Sequence, residues 1–339
     1  LTPYRDAGDA IDVAAVADTV CRSYQQAGLS GSDIDTGAVL LTGTALARPN
    51  ARALAERLAG DSGRFVCAAA GHHLEAVLAA HGSGAVERSA ADGGPVVNVD
   101  IGGGTTKLAL VVDGEVQATA ALAVGSRLVA WDARGRLTRV ESSVVPLCRS
   151  LGIAVGPGRA VPEPALDELC GHLARAVVRQ LGARRVTRRA VTDPSVDLLL
   201  TAPFPRVPGP SAIVLSGGVA EYIDQPQGGA GEGDLGPFLA RALVAQLRAG
   251  GLGDQLRPAR ERIRATVIGA SQFSTQVSGS TVRIGDGAAL PVHNVPVVRL
   301  VVGPHETVEP ATVATALRRA IAERAADLRD RRAVAVAIA

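Results

Sequence analysis

Methionine is absent from all 339 residues, and lysine occurs once, at Lys107, although Lys and Arg together number 35 against 33 Asp and Glu. No folding rule demands this; the Arg, Ala and Gly excess reads as coding bias, and the missing initiator points to a chain that begins inside its gene. A net charge of +2 leaves no electrostatic footprint for nucleic acid or an anionic membrane. No apolar run approaches the ~18 residues that a membrane-spanning helix requires, and Leu1-Thr-Pro-Tyr-Arg-Asp6 lacks the basic and apolar regions of a signal peptide. A soluble, cytoplasmic protein with no membrane or nucleic-acid partner is expected. Cysteine is also scarce. Cys21, Cys67, Cys148 and Cys170 form no Cys-x-x-Cys and no zinc-finger spacing, so they read as small core residues of a reducing compartment. Aromatic residues make up 2%, and the lone Trp131 points to nothing by itself.

What is present is enough apolar sequence, 47%, to bury real cores. At about 150 residues per domain the length gives two domains. Near-helical spacing over 11–28, a strand at 38–42, a helix at 48–58, a strand at 65–69 and a helix at 74–81 alternate as in an α/β layer structure. The strand at 96–101 breaks this pattern. After a glycine run come 108–112, Asp113-Gly114 and 115–123, a hairpin signal that adds two antiparallel strands. Helix is expected over 163–184, strand over 212–216, and helix from Val219. A flexible loop over 224–236 precedes helix at 237–249 and 266–273. Several strands over 277–302 and a helix at 310–331 complete the chain.

Asp100-Ile-Gly-Gly-Gly-Thr-Thr106 carries the most chemistry. Consecutive glycines let backbone N–H groups approach and nest an anion, so Gly102, Gly103 and Gly104 can cradle phosphate oxygens. Thr105 and Thr106 add hydroxyl donors. Asp100, ending a buried strand, can hold hydrated Mg²⁺ that bridges phosphates. A Walker loop is excluded because Thr106-Lys107-Leu108 replaces Gly-Lys-Ser/Thr, and a Rossmann loop because a hairpin follows instead of a helix. The second signal is Ser216-Gly217-Gly218 between a strand and a helical segment. There a flat ligand can lie against the backbone, and Glu221 can reach a ribose hydroxyl. Alone it is ordinary packing chemistry; after the first loop it is specific.

The combination resembles the actin, sugar-kinase and heat-shock-chaperone superfamily. In that superfamily Asp-x-Gly-Gly-Gly-Thr with its hairpin is the second phosphate loop, and strand–Gly-Gly–helix the adenosine loop. The segments Ala69 to Leu78 and Thr266 to Ala270 look like its two inter-lobe connections. The finer resemblance is to the EutA family of ethanolamine ammonia-lyase reactivating factors. It is carried by Asp35 to Gly43, Asn50-Ala-Arg52, Leu74-Glu75, His81 to Ala85, Asn98 to Thr105, Ile213 to Gly218, Asp234-Leu-Gly-Pro237, Arg264 to Ala270 and Val277 to Thr281.

The resemblance implies an α/β, actin-like (ribonuclease H-like) ATPase fold. It divides as an incomplete lobe over 1–95, a complete lobe over 96–275 with both loops, and a C-terminal α+β extension over 276–339. It also implies ATP and Mg²⁺ as cofactors, and ethanolamine ammonia-lyase as partner. Damaged adenosylcobalamin would be expelled as nucleotide closes the lobes, in the cytoplasm or a bacterial microcompartment. Any ATPase would be slow, with Glu75 orienting water or Mg²⁺ if it follows the inter-lobe pattern, or else a solvated helix carboxylate. The sequence departs from the family at Thr44, where Glu is usual, and at His72, where Pro is usual. It has no Asp-x-Gly-Thr hairpin before Asp100, and the family continues past residue 339, so a truncated chain or a lost loop is expected.

Two rival functions remain: a small-molecule kinase on this fold, for which no first-lobe catalytic motif is found, and a nucleotide-dead scaffold. His72, His73 and His81 suggest a metal site, but the lack of a spaced carboxylate or cysteine partner argues against it. Gly60-Asp-Ser-Gly63 reads as a capping turn, not a hydrolase elbow. The arginines of 184–189 and 318–332 read as solvated helix faces.

Overall fold

The computed structural model describes residues 4–5, 10–30, 33, 36–41, 50, 54, 64–69, 71–182, 198–207, 209–224, 231–272, 297–300, 310–323 and 335–338. The chain divides into two compact units, one of Leu1–Leu41, Pro49–Gly71 and Val277–Ala339, the other of Thr42–Arg48 and His72–Gln276. These limits differ from the sequence boundaries at 95 and 275. Residues 72–92 group with the larger unit, and the C-terminal stretch groups with the N-terminal one.

In the smaller unit, Asp12 accepts from Ala15 N–H at 3.1 Å and starts the helix Val13–Gln26. Asn50 brackets Ile11 with both ends of its amide, accepting from its N–H at 3.0 Å and donating to its carbonyl at 2.7 Å. Thr36–Leu41 pairs in parallel with Arg64–Ala69, as the alternation predicts, and Val297–Leu300 in parallel with Ala335–Ile338. The C-terminal helix runs over Pro310–Glu323. The expected helix at 48–58, the Gly60–Gly63 turn, Thr44, the strands before 297 and Arg184 to Arg189 lie outside the described residues, apart from Asn50 and Leu54.

The larger unit is built on strands β1 (Val96–Ile101), β2 (Thr106–Val112), β3 (Glu115–Leu122), β4 (Val129–Trp131), β5 (Leu137–Val140), β6 (Ala212–Ser216) and β7 (Leu256–Arg257). Its helices are α1 (His72–Gly82), α2 (Ala85–Asp92), α3 (Val145–Ser150), α4 (Glu163–Gln180), α5 (Gly236–Ala249) and α6 (Ala265–Gln272). The main sheet has the order β7-β6-β1-β2-β3, with β1, β2 and β3 antiparallel and β6 and β7 parallel to β1 and to each other. An antiparallel meander extended by parallel strands on the side of its first member is the ribonuclease H-like lobe of actin-type ATPases. The α/β expectation is met.

Asp113, with φ of 52°, and Gly114, with φ of 78°, make the tight β2–β3 turn that Asp-Gly signals. Successive residues of β1 alternate between faces. Val97, Val99 and Ile101 join the core under α4 and α5, while Val96 joins Ala76, Ala80 and Ala85 of α1 and α2 on the other face. Close approach holds α1 to α6: a Cβ on Gly269 would lie 2.6 Å from the Leu78 carbonyl carbon, and one on Gly82 would lie 2.8 Å from Gly269 N.

Three expectations need correction. Residues after Ser216 form a short 3-10 turn, Gly218–Tyr222, not an α-helix. Five residues cannot support an α-helical ladder, and Pro226 and Gly228 next in sequence offer no continuation. Helix α4 stops at Gln180, because Gly182 takes φ of 73° and closes it in the left-handed manner. Cys148 and Cys170 are buried free thiols, the latter with its pKa pushed up chiefly by burial, but Cys21 is exposed.

Candidate functional site

The site grows out of sheet register. Ser216 of β6 stands opposite Asp100 of β1, and Asp100 opposite Lys107 of β2. Each lies on the α1 face, in step with Val214, Val96 and Ala109 of the core there. The row ends β1 and β6 at their carboxyl termini, where the two glycine turns begin. Parallel strands make this the crevice at which open α/β sheets bind ligands.

The polar side chains of this row engage one another. Asn98 donates through Nδ2 to Ser216 Oγ at 3.2 Å, and Ser216 Oγ donates to Asp100 Oδ1 at 2.8 Å. Lys107 Nζ lies 2.8 Å from Glu75 Oε2 on α1 and donates to Thr105 Oγ1 at 2.5 Å. Side-chain exposures of 6% for Lys107 and 5% for Glu75 make this a buried ion pair. Glu75 is therefore not a solvated helix carboxylate, and the solitary lysine is not incidental. Burial pushes the Asp100 carboxyl up to about 6, against the lowering effects of the Ser216 hydrogen bond and the Lys107 charge, with Glu75 adding to the rise.

The turn itself is anchored from behind. Gly102 N–H donates to the Thr105 carbonyl at 3.0 Å, while Ser126 and Arg127 N–H donate to the Gly102 and Gly103 carbonyls at 3.1 and 2.6 Å. Gly125 lets these backbones meet, since a Cβ there would sit 2.5 Å from the Gly103 carbonyl carbon. Thr106 Oγ1 is committed to the Val124 carbonyl at 2.8 Å, so it anchors the turn. It is not the open donor that the sequence suggests.

At the second turn Gly217 has φ of 85°, and its missing side chain is where Ile101 passes, with the Ile101 carbonyl carbon 2.6 Å from an added Cβ. The two turns touch through that glycine. Gly217→Ala should destabilise the unit by roughly 3 kcal/mol, from overpacking and a left-handed non-glycine. Gly218→Ala should be tolerated, because Ile263 Cδ1 is 3.8 Å away. Urea midpoints of the two variants check this, and equal midpoints would refute it. Glu221 Oε1 accepts from Ile263 N–H at 3.0 Å, tying the turn to the segment before α6.

The histidines of α1 are dispersed. His73 Nδ1 lies 2.6 Å from Thr119 Oγ1, His72 Nδ1 lies 3.8 Å from Glu75 Oε2, and burial lowers the pKa of His81. Sequence reasoning passed over Asn98, Gly125 and Arg127 as site residues. It also left Lys107 without a role, although a charged residue beginning an otherwise apolar strand was the available signal.

A model of the family described as ethanolamine utilisation protein EutA matches residues 1–339. The chain belongs to the EutA family. Similar relatives are the ethanolamine ammonia-lyase reactivases EutA of Salmonella typhimurium strain LT2, 36% identical over 279 residues, and of Escherichia coli K12, 35% identical over 282. Each match covers 82% of this chain and 58% of the relative, so this EutA-family chain spans under two thirds of their length. Among solved structures, the ethanolamine utilisation protein EutJ from Carboxydothermus hydrogenoformans is 17% identical, with a TM-score of 0.37 over 77% of this chain and 75% of that one. MreB5 of Spiroplasma citri bound to ADP is 14% identical, with a TM-score of 0.38 over 78% and 76%. Scores this low add nothing to the strand order, which alone carries the fold.

Proposed function

We propose that this chain is the nucleotide-binding part of an ethanolamine ammonia-lyase reactivating factor, which uses ATP and Mg²⁺ to release damaged adenosylcobalamin from the lyase. The observation that carries this is the pair of touching glycine turns at the carboxyl ends of β1 and β6, joined by the Ser216–Asp100 hydrogen bond, in a member of the EutA family. Gly103, Gly104 and Thr105 hold phosphate oxygens, while Gly102, predicted from the sequence to join them, has its N–H committed to the Thr105 carbonyl and anchors the turn together with Thr106. Gly217 and Gly218 pack adenosine, and Glu221 stands beside the ribose.

Asp100 is a hard oxygen donor suited to magnesium. Among the described residues no group of three His, Cys, Asp or Glu side chains is arranged to hold a metal ion. Asp100 would hold, through water, a Mg²⁺ carried by the nucleotide, and that ion would supply positive charge to the phosphates. Glu75, held by Lys107, is not a free base, so any hydrolysis is slow and serves a switch. No helix among the described residues is long and apolar enough to cross a membrane, and we place the activity in the cytoplasm or a bacterial microcompartment.

The test adds the protein and Mg-ATP to lyase carrying a damaged cobalamin, then measures ethanolamine deamination after intact cofactor is supplied. Activity should return with the parent protein, and Asp100→Asn should restore none. Calorimetric titration with Mg-ATP runs in parallel. Heat from the parent without restored lyase activity would overturn the reactivase reading, and no heat at all would favour a nucleotide-dead scaffold.

A further inference from the structure

Arg127 follows the phosphate turn by a whole hairpin, yet its chain folds back beneath that turn. Its backbone N–H donates to the Gly103 carbonyl, and its aliphatic stem lies along the same glycine, Cγ 3.3 Å from where a Cβ there would be. The guanidinium Nη1 is shielded from solvent and makes no hydrogen bond among the described residues. Asp234 Oδ2 lies 3.8 Å from it, an attraction beyond hydrogen-bond reach.

The Arg127 side chain as a whole is 26% exposed, which leaves it room to swing. Asp234 is fixed. It is buried, and its Oδ1 accepts from Gly236 N–H at 2.8 Å, at the start of α5. The neighbouring backbone is stitched to the same region: Leu235 N–H donates to the Ser126 carbonyl at 2.8 Å, and Trp131 N–H to the Gly233 carbonyl at 2.7 Å.

We infer that Arg127 is a phosphate ligand and that Asp234 is its resting counter-ion. Through them, occupancy of the phosphate turn is reported to residues 233–236, to Trp131 and to the start of α5. The inference rests on the reading of residues 102–106 as a phosphate turn. An arginine with an unused N–H beside such a turn gains charge-assisted, forked hydrogen bonds when phosphate arrives. Lys107 cannot serve instead, since its ammonium is engaged by Glu75 and Thr105. Once the guanidinium leaves, Asp234 loses its neighbouring positive charge, and the segment it holds must readjust.

Trp131 is the only tryptophan in the chain, so its fluorescence reports this event directly. The protein, Arg127→Gln and Asp234→Asn are titrated with Mg-ATP and Mg-ADP, following both heat and Trp131 emission. The parent should bind with an emission change. Arg127→Gln should bind about tenfold more weakly and lose that change. Asp234→Asn keeps the cap on Gly236 through its amide oxygen. It should bind roughly threefold to tenfold more tightly, because the guanidinium has no counter-ion to leave. A merely structural role would weaken binding in both variants, so that result overturns the inference. Parent-like affinity and emission in Arg127→Gln overturn it as well. Absence of heat from the parent with either nucleotide instead removes the phosphate reading on which the inference rests.

Discussion

Replacement of Lys107 by Met should lower the stability of the 72–276 unit by about 3–5 kcal/mol, the cost of leaving a buried charge without its partner. Glu75 would remain in place with its 5% exposure and no ammonium 2.8 Å away. Desolvation that the ion pair now offsets would then fall on Glu75 alone. In calorimetry this corresponds to a melting temperature lower by roughly 10 °C for a unit of this size. A second variant separates loss of charge from loss of packing. Lys107→Met combined with Glu75→Leu removes both charges while keeping apolar volume, and it should recover to within about 1 kcal/mol of the parent. If Lys107→Met melts with the parent, the pair is not buried as described. If the double variant is no better than the single one, packing and not charge is what Lys107 supplies.

Asp100→Asn should do the opposite to stability while removing function. The Asp100 carboxyl is raised to about 6, chiefly by burial, above its ordinary value of 3.8. The folded state thus binds this proton more tightly than the unfolded chain does. Its contribution to stability is complete below about pH 4 and is lost as pH rises through about 6. Above that the ionised carboxylate costs on the order of 3 kcal/mol. Asparagine carries no such cost, and its amide oxygen still accepts from Ser216. The variant should therefore be more stable than the parent at pH 7, with the gain fading to nothing as the pH falls from 6 to 4. Its affinity for Mg-ATP should fall at least tenfold, since no carboxylate remains to hold the hydrated magnesium. Melting curves across this pH range, with nucleotide titrations at pH 7, check both halves. A variant less stable than the parent at pH 7 would refute the burial argument. Unchanged nucleotide affinity would refute the role given to Asp100.

These expectations are connected, because the site holds two buried carboxylates and one ammonium. Asp100 is held in a state unfavourable to folding at neutral pH, because burial raises its pKa to about 6. The Lys107–Glu75 pair keeps the neighbouring carboxylate from adding a second uncompensated charge.

The linear sequence determined the local pieces of this arrangement. Asp113-Gly114 sets the hairpin because few other residues accept positive φ at both central positions of so tight a turn. The six apolar-rich residues ending at Ile101 make β1, and Gly102 to Gly104 mark the turn that follows it. The two glycine turns and their order along the chain were therefore legible, and so was the family.

Only the tertiary structure decided who meets whom. That Asp100 stands between Lys107 and Ser216 follows from strand register, which depends on long-range pairing and not on any local preference. Glu75 was ambiguous because an isolated helix carboxylate reads the same whether it faces water or a buried ammonium. The packing of α1 on the sheet settled it. Arg127 and Asp234 were invisible as a pair because more than a hundred residues separate them, and no periodicity records a contact over that distance. The lone lysine looked like an accident of composition; burial against Glu75 and Thr105 gives it a physical task.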